Sequence, residues 1–242
     1  MNFIDTNIIY NEDCIEGMKK LPDNSVDAVV TDPPFGIGYK YNETEENNNP
    51  EDYWKWFKPI YKTMLEKLKP NGFIAIWQTQ KYFKYFWEWF GDNIHIYASC
   101  KNFVQLKNTG INYAYDPIVM KYNGGEKLSP ENPPRNVDFY VSNTAKYVTQ
   151  TDSLAGEHPC PRPIDQVNEI IANFIIEKGV VLDPFIGSGT TALACLNQKR
   201  KFIGFEKEKE FYNIALKRLG KFDKSYYKEL PESESPAQKQ LF

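Results

Sequence analysis

Two aspartates stand where an apolar run meets a tight, proline-bearing turn. In Val29-Val30-Thr31-Asp32-Pro33-Pro34-Phe35 the run ends in a carboxylate, two prolines and a flat ring. The prolines remove two backbone donors and stiffen the turn. What is left to bind with, the Asp32 carboxylate and the backbone carbonyls, only accepts hydrogen bonds. Such a tip suits a substrate that presents an NH₂ group by both hydrogens, with Phe35 as a face for a stacked base. The plain alternative is a proline-rich turn with a core phenylalanine; a carboxylate at the tip of a buried strand speaks against it.

The second aspartate opens Asp183-Pro184-Phe185-Ile186-Gly187-Ser188-Gly189-Thr190-Thr191-Ala192, directly after the apolar Val181-Leu182. Gly187, Gly189 and Ala192 have the G-x-G-x-x-G/A spacing of nucleotide-binding βα turns: one glycine for the turn, one for close approach of a ligand, a small residue for helix packing. Nineteen residues after Gly187 stands Glu206, an acid placed to accept hydrogen bonds from ribose hydroxyls. A dinucleotide would bring its pyrophosphate to the helix N-terminus, and Asp183 at the strand mouth is a poor neighbour for phosphate. A cofactor with cationic groups and no phosphate fits better, which points to S-adenosylmethionine. The alternative is a tight βα turn that holds no ligand.

These residues need a scaffold, and the chain alternates strand-like and helix-like patterns in the manner of βαβ units. Strands are expected over residues 7–10, 26–31, 72–77, 94–105, 117–122, 180–182 and 202–205. Helices are expected over 14–21, 52–68 (bent near Pro59), 80–90, 163–177, 190–198 and 210–219. The polar, Gly/Asn-rich residues 36–50 read as a mobile functional loop. Residues 123–157 lose periodicity and read as a small irregular insert. The fold class expected is therefore α/β: a doubly wound, mostly parallel Rossmann-like sheet. One catalytic domain spans residues 1–220, and 221–242 form a flexible tail.

Composition narrows the classes. With 242 residues, 41% hydrophobic and 15% aromatic, the chain has ample material for a packed core and is not disordered throughout. No apolar run approaches the roughly 20 residues of a membrane span, and the N-terminus lacks the pattern of a secretory leader. Four scattered cysteines and two histidines give neither zinc spacing nor a disulfide framework, so no metal and a cytoplasmic location are expected. The net charge of −3 conceals a basic middle: over residues 55–107 nine lysines face Glu66, Glu88 and Asp92. Such a stretch suits a phosphate backbone, although a solvated helix face explains it too.

Asp-Pro-Pro-Phe followed by Asp-Pro-Phe-x-Gly-Ser-Gly-Thr-Thr resembles the S-adenosylmethionine-dependent DNA amino-methyltransferases, which methylate adenine N6 or cytosine N4. The catalytic motif precedes the cofactor motif, with an insert between them, as in the permuted beta class. The resemblance extends over most of residues 7–220. It implies that Asp32, Pro33, Pro34 and Phe35 are catalytic, Asp32 and the Pro33 carbonyl accepting the amino hydrogens while Phe35 stacks on a flipped-out base. It implies cofactor contacts from Asp13 and Cys14 (in Asn11-Glu12-Asp13-Cys14), Asp32, Asp183, Pro184, Phe185, Gly187, Ser188, Gly189, Thr190, Glu206 and Lys207. His158-Pro159-Cys160-Pro161-Arg162-Pro163 resembles the family's His-Pro-x-x-Lys-Pro motif, so His158 and Arg162 are expected at the methionine end of the cofactor. Arg162 stands in place of the usual lysine. Gly110-Ile111-Asn112-Tyr113-Ala114-Tyr115-Asp116 resembles the segment before the target-recognition insert. Asp before Pro-Pro is more similar to the adenine branch, and double-stranded DNA is the implied substrate.

Other readings stay open. They are a cytosine-N4 enzyme, a catalytically silent DNA-binding relative, and a nicotinamide-dependent oxidoreductase. Pro159-Cys160 also has the form of a covalent cytosine-C5 nucleophile, though it lies inside a segment matched otherwise. In residues 80–90, Phe83, Phe86, Trp87 and Phe90 share a core-facing side, leaving Tyr82, Tyr85 and Trp89 for a homodimer interface. His95 reads as a structural strand residue. The end of the chain, Gln238 followed by Leu241 and Phe242, resembles the peptide by which bacterial replication proteins dock on the sliding clamp. The insert is charge-balanced and does not disclose a target sequence.

Overall fold

A computed structural model describes residues 5–36, 40–41, 44–45, 49–91, 93–105, 113–123, 139–141, 162–223 and 225. The chain runs β1 (Ile8–Tyr10), α1 (Cys14–Lys19), β2 (Val26–Thr31), a two-stranded hairpin of β3 (Lys40–Tyr41) and β4 (Thr44–Glu45), α2 (Pro50–Lys67) and β5 (Leu68–Trp77). A 3-10 turn (Gln80–Tyr82) leads into α3 (Phe83–Phe90), then β6 (His95–Gln105), β7 (Tyr113–Tyr122) and β8 (Phe139–Val141). α4 (Ile164–Phe174), β9 (Val180–Asp183), α5 (Thr190–Asn197), β10 (Lys201–Phe205) and α6 (Lys209–Phe222) complete it.

Eight strands form one sheet in the order β1-β10-β9-β2-β5-β7-β6-β8. The first five are mutually parallel, β7 runs antiparallel to both β5 and β6, and β8 lies parallel to β6. Side chains alternate across the sheet as the pleat requires. Ala28, Val30 and Ala75 pack with Val167, Ile170 and Ala192 on one face. Val29, Ile74 and Ile76 pack with Phe57, Met64 and Phe86 on the other. From neighbours β9 and β2, the chain leaves in opposite directions: β9 through α5 to β10, and β2 through α2 to β5. In an open α/β sheet that reversal makes the crevice where ligands bind. It falls between Asp183 and Asp32.

Helix boundaries follow from local chemistry. Asn49 caps α2 by accepting from the Glu51 and Asp52 amides at 2.9 and 3.4 Å, with Pro50 in the first turn. α2 continues through Pro59, which is exposed, so its lost backbone bond falls on the side that water serves. Its buried face carries Tyr53, Trp54, Phe57, Ile60, Tyr61 and Met64.

Several expectations need correction. The insert is not wholly irregular, because β8 extends the sheet, and residues 36–50 contain the β3–β4 hairpin. Helix α6 reaches Phe222, beyond the expected start of the tail. The aromatic segment divides differently too: Tyr82 is fully buried and Trp87 is 42% exposed, because a 3-10 turn shifts the phase before α3 begins. Tyr85 and Trp89 pack on Trp54 of the same chain, at ring-centroid distances of 5.2 and 5.3 Å. Tyr85 and Trp89 are half-buried by these contacts, so the side expected for a homodimer interface packs in part on its own chain. His95 is an exposed residue of β6. Among the described residues no helix is long and apolar enough to cross a membrane.

Candidate functional site

The two strand tips are joined directly. The Thr31 hydroxyl donates to Asp183 Oδ1 at 2.7 Å, and the Phe185 amide donates to the same oxygen at 3.0 Å. Asp183 is 3% exposed, and its burial raises the carboxyl to about 6 against the bonds from Thr191, Thr31 and Phe185. Asp183 thus lies inside the protein rather than at an open mouth. A buried carboxylate needs every donor it can find, and here those donors fix the first turn of the glycine loop. Pro184 is buried and Phe185 half-buried, its ring 5.8 Å from that of Trp56.

The glycines have separate reasons. Gly187 and Gly189 have φ of +51° and +83°, conformations that favour glycine. A Cβ on Gly189 would also stand 3.1 Å from Ala215 Cβ, so its small size serves the approach of α6, where the spacing suggests room for a ligand. Ser188 and Thr190 are nearly buried, and their hydroxyls accept from Arg218 Nη1 at 2.8 and 3.1 Å. Arg218 also donates to the Ser188 carbonyl. The guanidinium of Arg218, 3% exposed, braces the loop from behind.

Opposite the loop, the two Glu206 oxygens accept from the Gly187 and Glu208 amides at 3.0 and 2.8 Å. Burial raises this carboxyl to about 7. Each carboxylate oxygen keeps a further lone pair after one such bond, so Glu206 fits a vicinal diol. Asn11 Nδ2 donates to the carbonyls of Glu206 and Lys207 at 2.8 and 3.0 Å, bringing β1 to this corner. Asp13 Oδ1 caps α1 by accepting from Ile15 and Glu16 amides. Cys14 is buried, and burial pushes its thiol to about 12, so it offers a neutral wall and no thiolate.

On the other tip, Asp32, Pro33, Pro34 and Phe35 follow β2. Tyr53 donates its hydroxyl to the Pro34 carbonyl at 2.7 Å and receives the buried Gln78 amide at 2.7 Å. Tyr82 donates to the Gly36 carbonyl at 3.0 Å. Gly36 has φ +59°, and a Cβ there would meet Tyr53 and Tyr82 at 2.4 and 2.5 Å. The turn is therefore held on a bed of tyrosines. Arg162 grips Asp32 with two N–H groups, Nε to Oδ2 at 2.6 Å and Nη2 to Oδ1 at 2.8 Å. Its Nη1 donates to Asp116 Oδ2 at 2.6 Å. The guanidinium carbon sits 5.1 Å from the Phe35 ring centroid.

Expected residues Asp13, Cys14, Asp32, Pro33, Pro34, Phe35, Arg162, Asp183, Pro184, Phe185, Gly187, Ser188, Gly189, Thr190, Glu206 and Lys207 stand along the strand tips and the loops leaving them. Within that set Arg162 pairs with Asp32, where the family resemblance implies a contact to the cofactor. His158, Cys160 and residues 238–242 lie outside the described residues. Sequence reasoning missed Thr31, Tyr53, Gln78, Tyr82, Asp116 and Arg218 as parts of the site. Two carried a signal: Thr31 is a hydroxyl closing an apolar strand, and Arg218 falls in the apolar phase of Phe211, Ile214, Ala215 and Leu219. A buried polar group in such a place needs partners.

A doubly wound sheet whose two Asp-Pro tips meet where the strand order reverses has the form of an α/β enzyme with its ligand at that crevice. More particularly, residues 26–217 match the N6/N4 DNA methylase family, and the chain belongs to it: it is a DNA methyltransferase. The type II methyltransferase M.BglII of Bacillus subtilis is 31% identical, over 86% of this chain and 68% of that protein. Among solved structures, that of M1.HpyAVI with S-adenosylmethionine matches at 24% identity and a TM-score of 0.61, over 87% of this chain and 98% of the other. The cytosine-N4-specific PvuII DNA methyltransferase matches at 18% identity and TM-score 0.67, over 86% and 84%.

Proposed function

We propose that the chain transfers a methyl group from S-adenosylmethionine to N6 of an adenine extruded from double-stranded DNA. The observation that carries this reading is the 2.7 Å bond from Thr31 to Asp183, which makes the amine-accepting tip and the cofactor turn neighbours. A base inside a duplex is out of reach, so it must leave the stack. Its amino hydrogens are taken by the Asp32 carboxylate and the Pro33 carbonyl, with Phe35 against the ring. Drawing those hydrogens aside turns the nitrogen lone pair toward the donor. The bound cofactor supplies an electrophilic methyl on a sulfonium. Glu206 accepts from its ribose, Asp13 and Cys14 line its adenine, and the 187–190 turn and His158 hold the rest. The protein contributes position and electrostatics, with no covalent intermediate.

Adenine is preferred over cytosine because Asp, not Ser, precedes Pro-Pro. The test is to incubate the full chain with DNA and methyl-labelled cofactor, digest the DNA to nucleosides and separate them by mass spectrometry. Labelled N6-methyladenine is expected. Labelled N4-methylcytosine, or no labelled nucleoside, contradicts the reading.

A further inference from the structure

We infer that Arg162 occupies the place of the target base in the unloaded site, and that Asp116 is the positioning residue that receives it when a base enters. The inference rests on the proposed role of Asp32 and Phe35. A target base would bring to this turn a planar group, an N–H for the Asp32 carboxylate (its second going to the Pro33 carbonyl), and a face for the Phe35 ring. Arg162 already supplies all three: two parallel N–H bonds to Asp32 at 2.6 and 2.8 Å, a planar guanidinium, and a position 5.1 Å from the centre of Phe35. Each Asp32 oxygen keeps a further lone pair, so the base and the guanidinium compete for the space beside Phe35, 5.1 Å from the guanidinium carbon, rather than for bonding capacity. The side chain is 12% exposed against 25% for Asp32, so it is a packed part of the site and not a surface arginine.

Asp116 explains how the plug can leave. Its Oδ2 already holds Nη1 at 2.6 Å, and its side chain is 16% exposed. It sits in β7 opposite Ser99 of β6, on a sheet strand that is paired along both edges. The Trp77 ring centre, 5.9 Å away, gives the guanidinium a second aromatic neighbour. A guanidinium turning away from Asp32 therefore keeps a carboxylate partner, and no buried charge is stranded. Lysine, a point charge without the fork, could not copy the bidentate grip.

The test first maps the methylated adenine by long-read sequencing of DNA from cells expressing the chain. A duplex with 2-aminopurine at that position then reports base extrusion by fluorescence; its amino group lies at C2, so the signal does not depend on the Asp32 bond to N6. Asp116→Asn removes the charge that competes for Arg162. It should weaken the fluorescence rise and raise KM for DNA roughly tenfold, as expected for one charge-assisted bond, with cofactor affinity nearly unchanged. Arg162→Lys should do the opposite, strengthening the fluorescence rise and lowering KM for DNA. The inference requires the order Arg162→Lys above wild type above Asp116→Asn. If both variants extrude the base and bind DNA like the wild type, or if the order is reversed, Arg162 is not a plug. Should the Asp116→Asn variant fail to fold, the Arg162→Lys variant alone carries the comparison. The identity of the wild-type product decides the adenine reading separately.

Discussion

The two aspartates at the crevice share a local sequence, a buried strand followed by Asp-Pro, yet they live differently. Asp183 is nearly sealed from water and spends its carboxylate on Thr31 and the Phe185 amide. Asp32 keeps a quarter of its side chain exposed and is held by Arg162, a partner from far along the chain. One carboxylate is built in, and the other is engaged by the group inferred to exchange with the target base. The same contrast runs through the surrounding side chains. Around the glycine turn, Arg218 ties Ser188 and Thr190 to the α6 helix. Around Asp32, the backbone is clamped by Tyr53 and Tyr82 while the carboxylate itself faces the crevice. Structure is fixed at the glycine turn, and the proposed exchange of partners is confined to the Asp32 tip.

Removing the Asp32 carboxylate has the largest expected effect. Asp32→Ala should lower methyl transfer by roughly a thousandfold, the scale of losing one preorganised group at a reacting centre. Cofactor binding by equilibrium dialysis and the melting temperature should stay close to wild type. Asp183→Ala should act first on stability. It leaves the Thr31 hydroxyl and the Phe185 amide without their acceptor, at a cost of roughly 1–3 kcal/mol in denaturant unfolding, and Asp183→Asn should recover part of it. Equal melting temperatures for the Asp183→Ala variant and wild type would erase the distinction between the two tips.

A smaller effect is expected on the cofactor side. Glu206 titrates at about 7 when folded against 4.5 in the free residue. Between those values the folded chain binds more protons than the unfolded one, so this group makes stability fall as pH rises through the window. Relative to wild type, Glu206→Gln should raise the melting temperature above pH 7 and leave it unchanged below about 4.5. It should also weaken cofactor binding at pH 8 and flatten the rise in affinity expected of wild type through pH 7. A Glu206→Gln variant with the wild-type stability profile would mean that Glu206 is not the titrating group.

Much of the site is legible in the sequence because its parts are local. The glycine turn, the Asp-Pro-Pro-Phe tip and Glu206 each announce themselves within a few residues, and the apolar Val26, Ala28, Val29 and Val30 mark β2 at Val26–Thr31. What stays hidden depends on contacts between distant segments. The Tyr53–Pro34 and Tyr82–Gly36 bonds join residues 19 and 46 positions apart, and no spacing rule links them. Arg162 meets Asp32 across 130 positions; its charge is visible in the sequence, its partner is not. The aromatic segment misleads for a different reason. A uniform helical phase over residues 80–90 overlooks the 3-10 turn that begins it, with three residues per turn, and that turn puts Tyr82 inside.

The proposed function rests on one juxtaposition: the tips of β2 and β9, joined by the Thr31–Asp183 bond, would bring a methyl donor to a base amine held by Asp32. A crystal structure of the full chain with sinefungin and a duplex containing the methylated site would show it or refute it. The expected result is an extruded adenine with N6 bonded to Asp32 and roughly 3–3.5 Å from the inhibitor's amine, which replaces the transferred methyl. An inhibitor seated at the 187–190 turn with N6 held away from Asp32, or no extruded base beside Phe35, would be the contrary result.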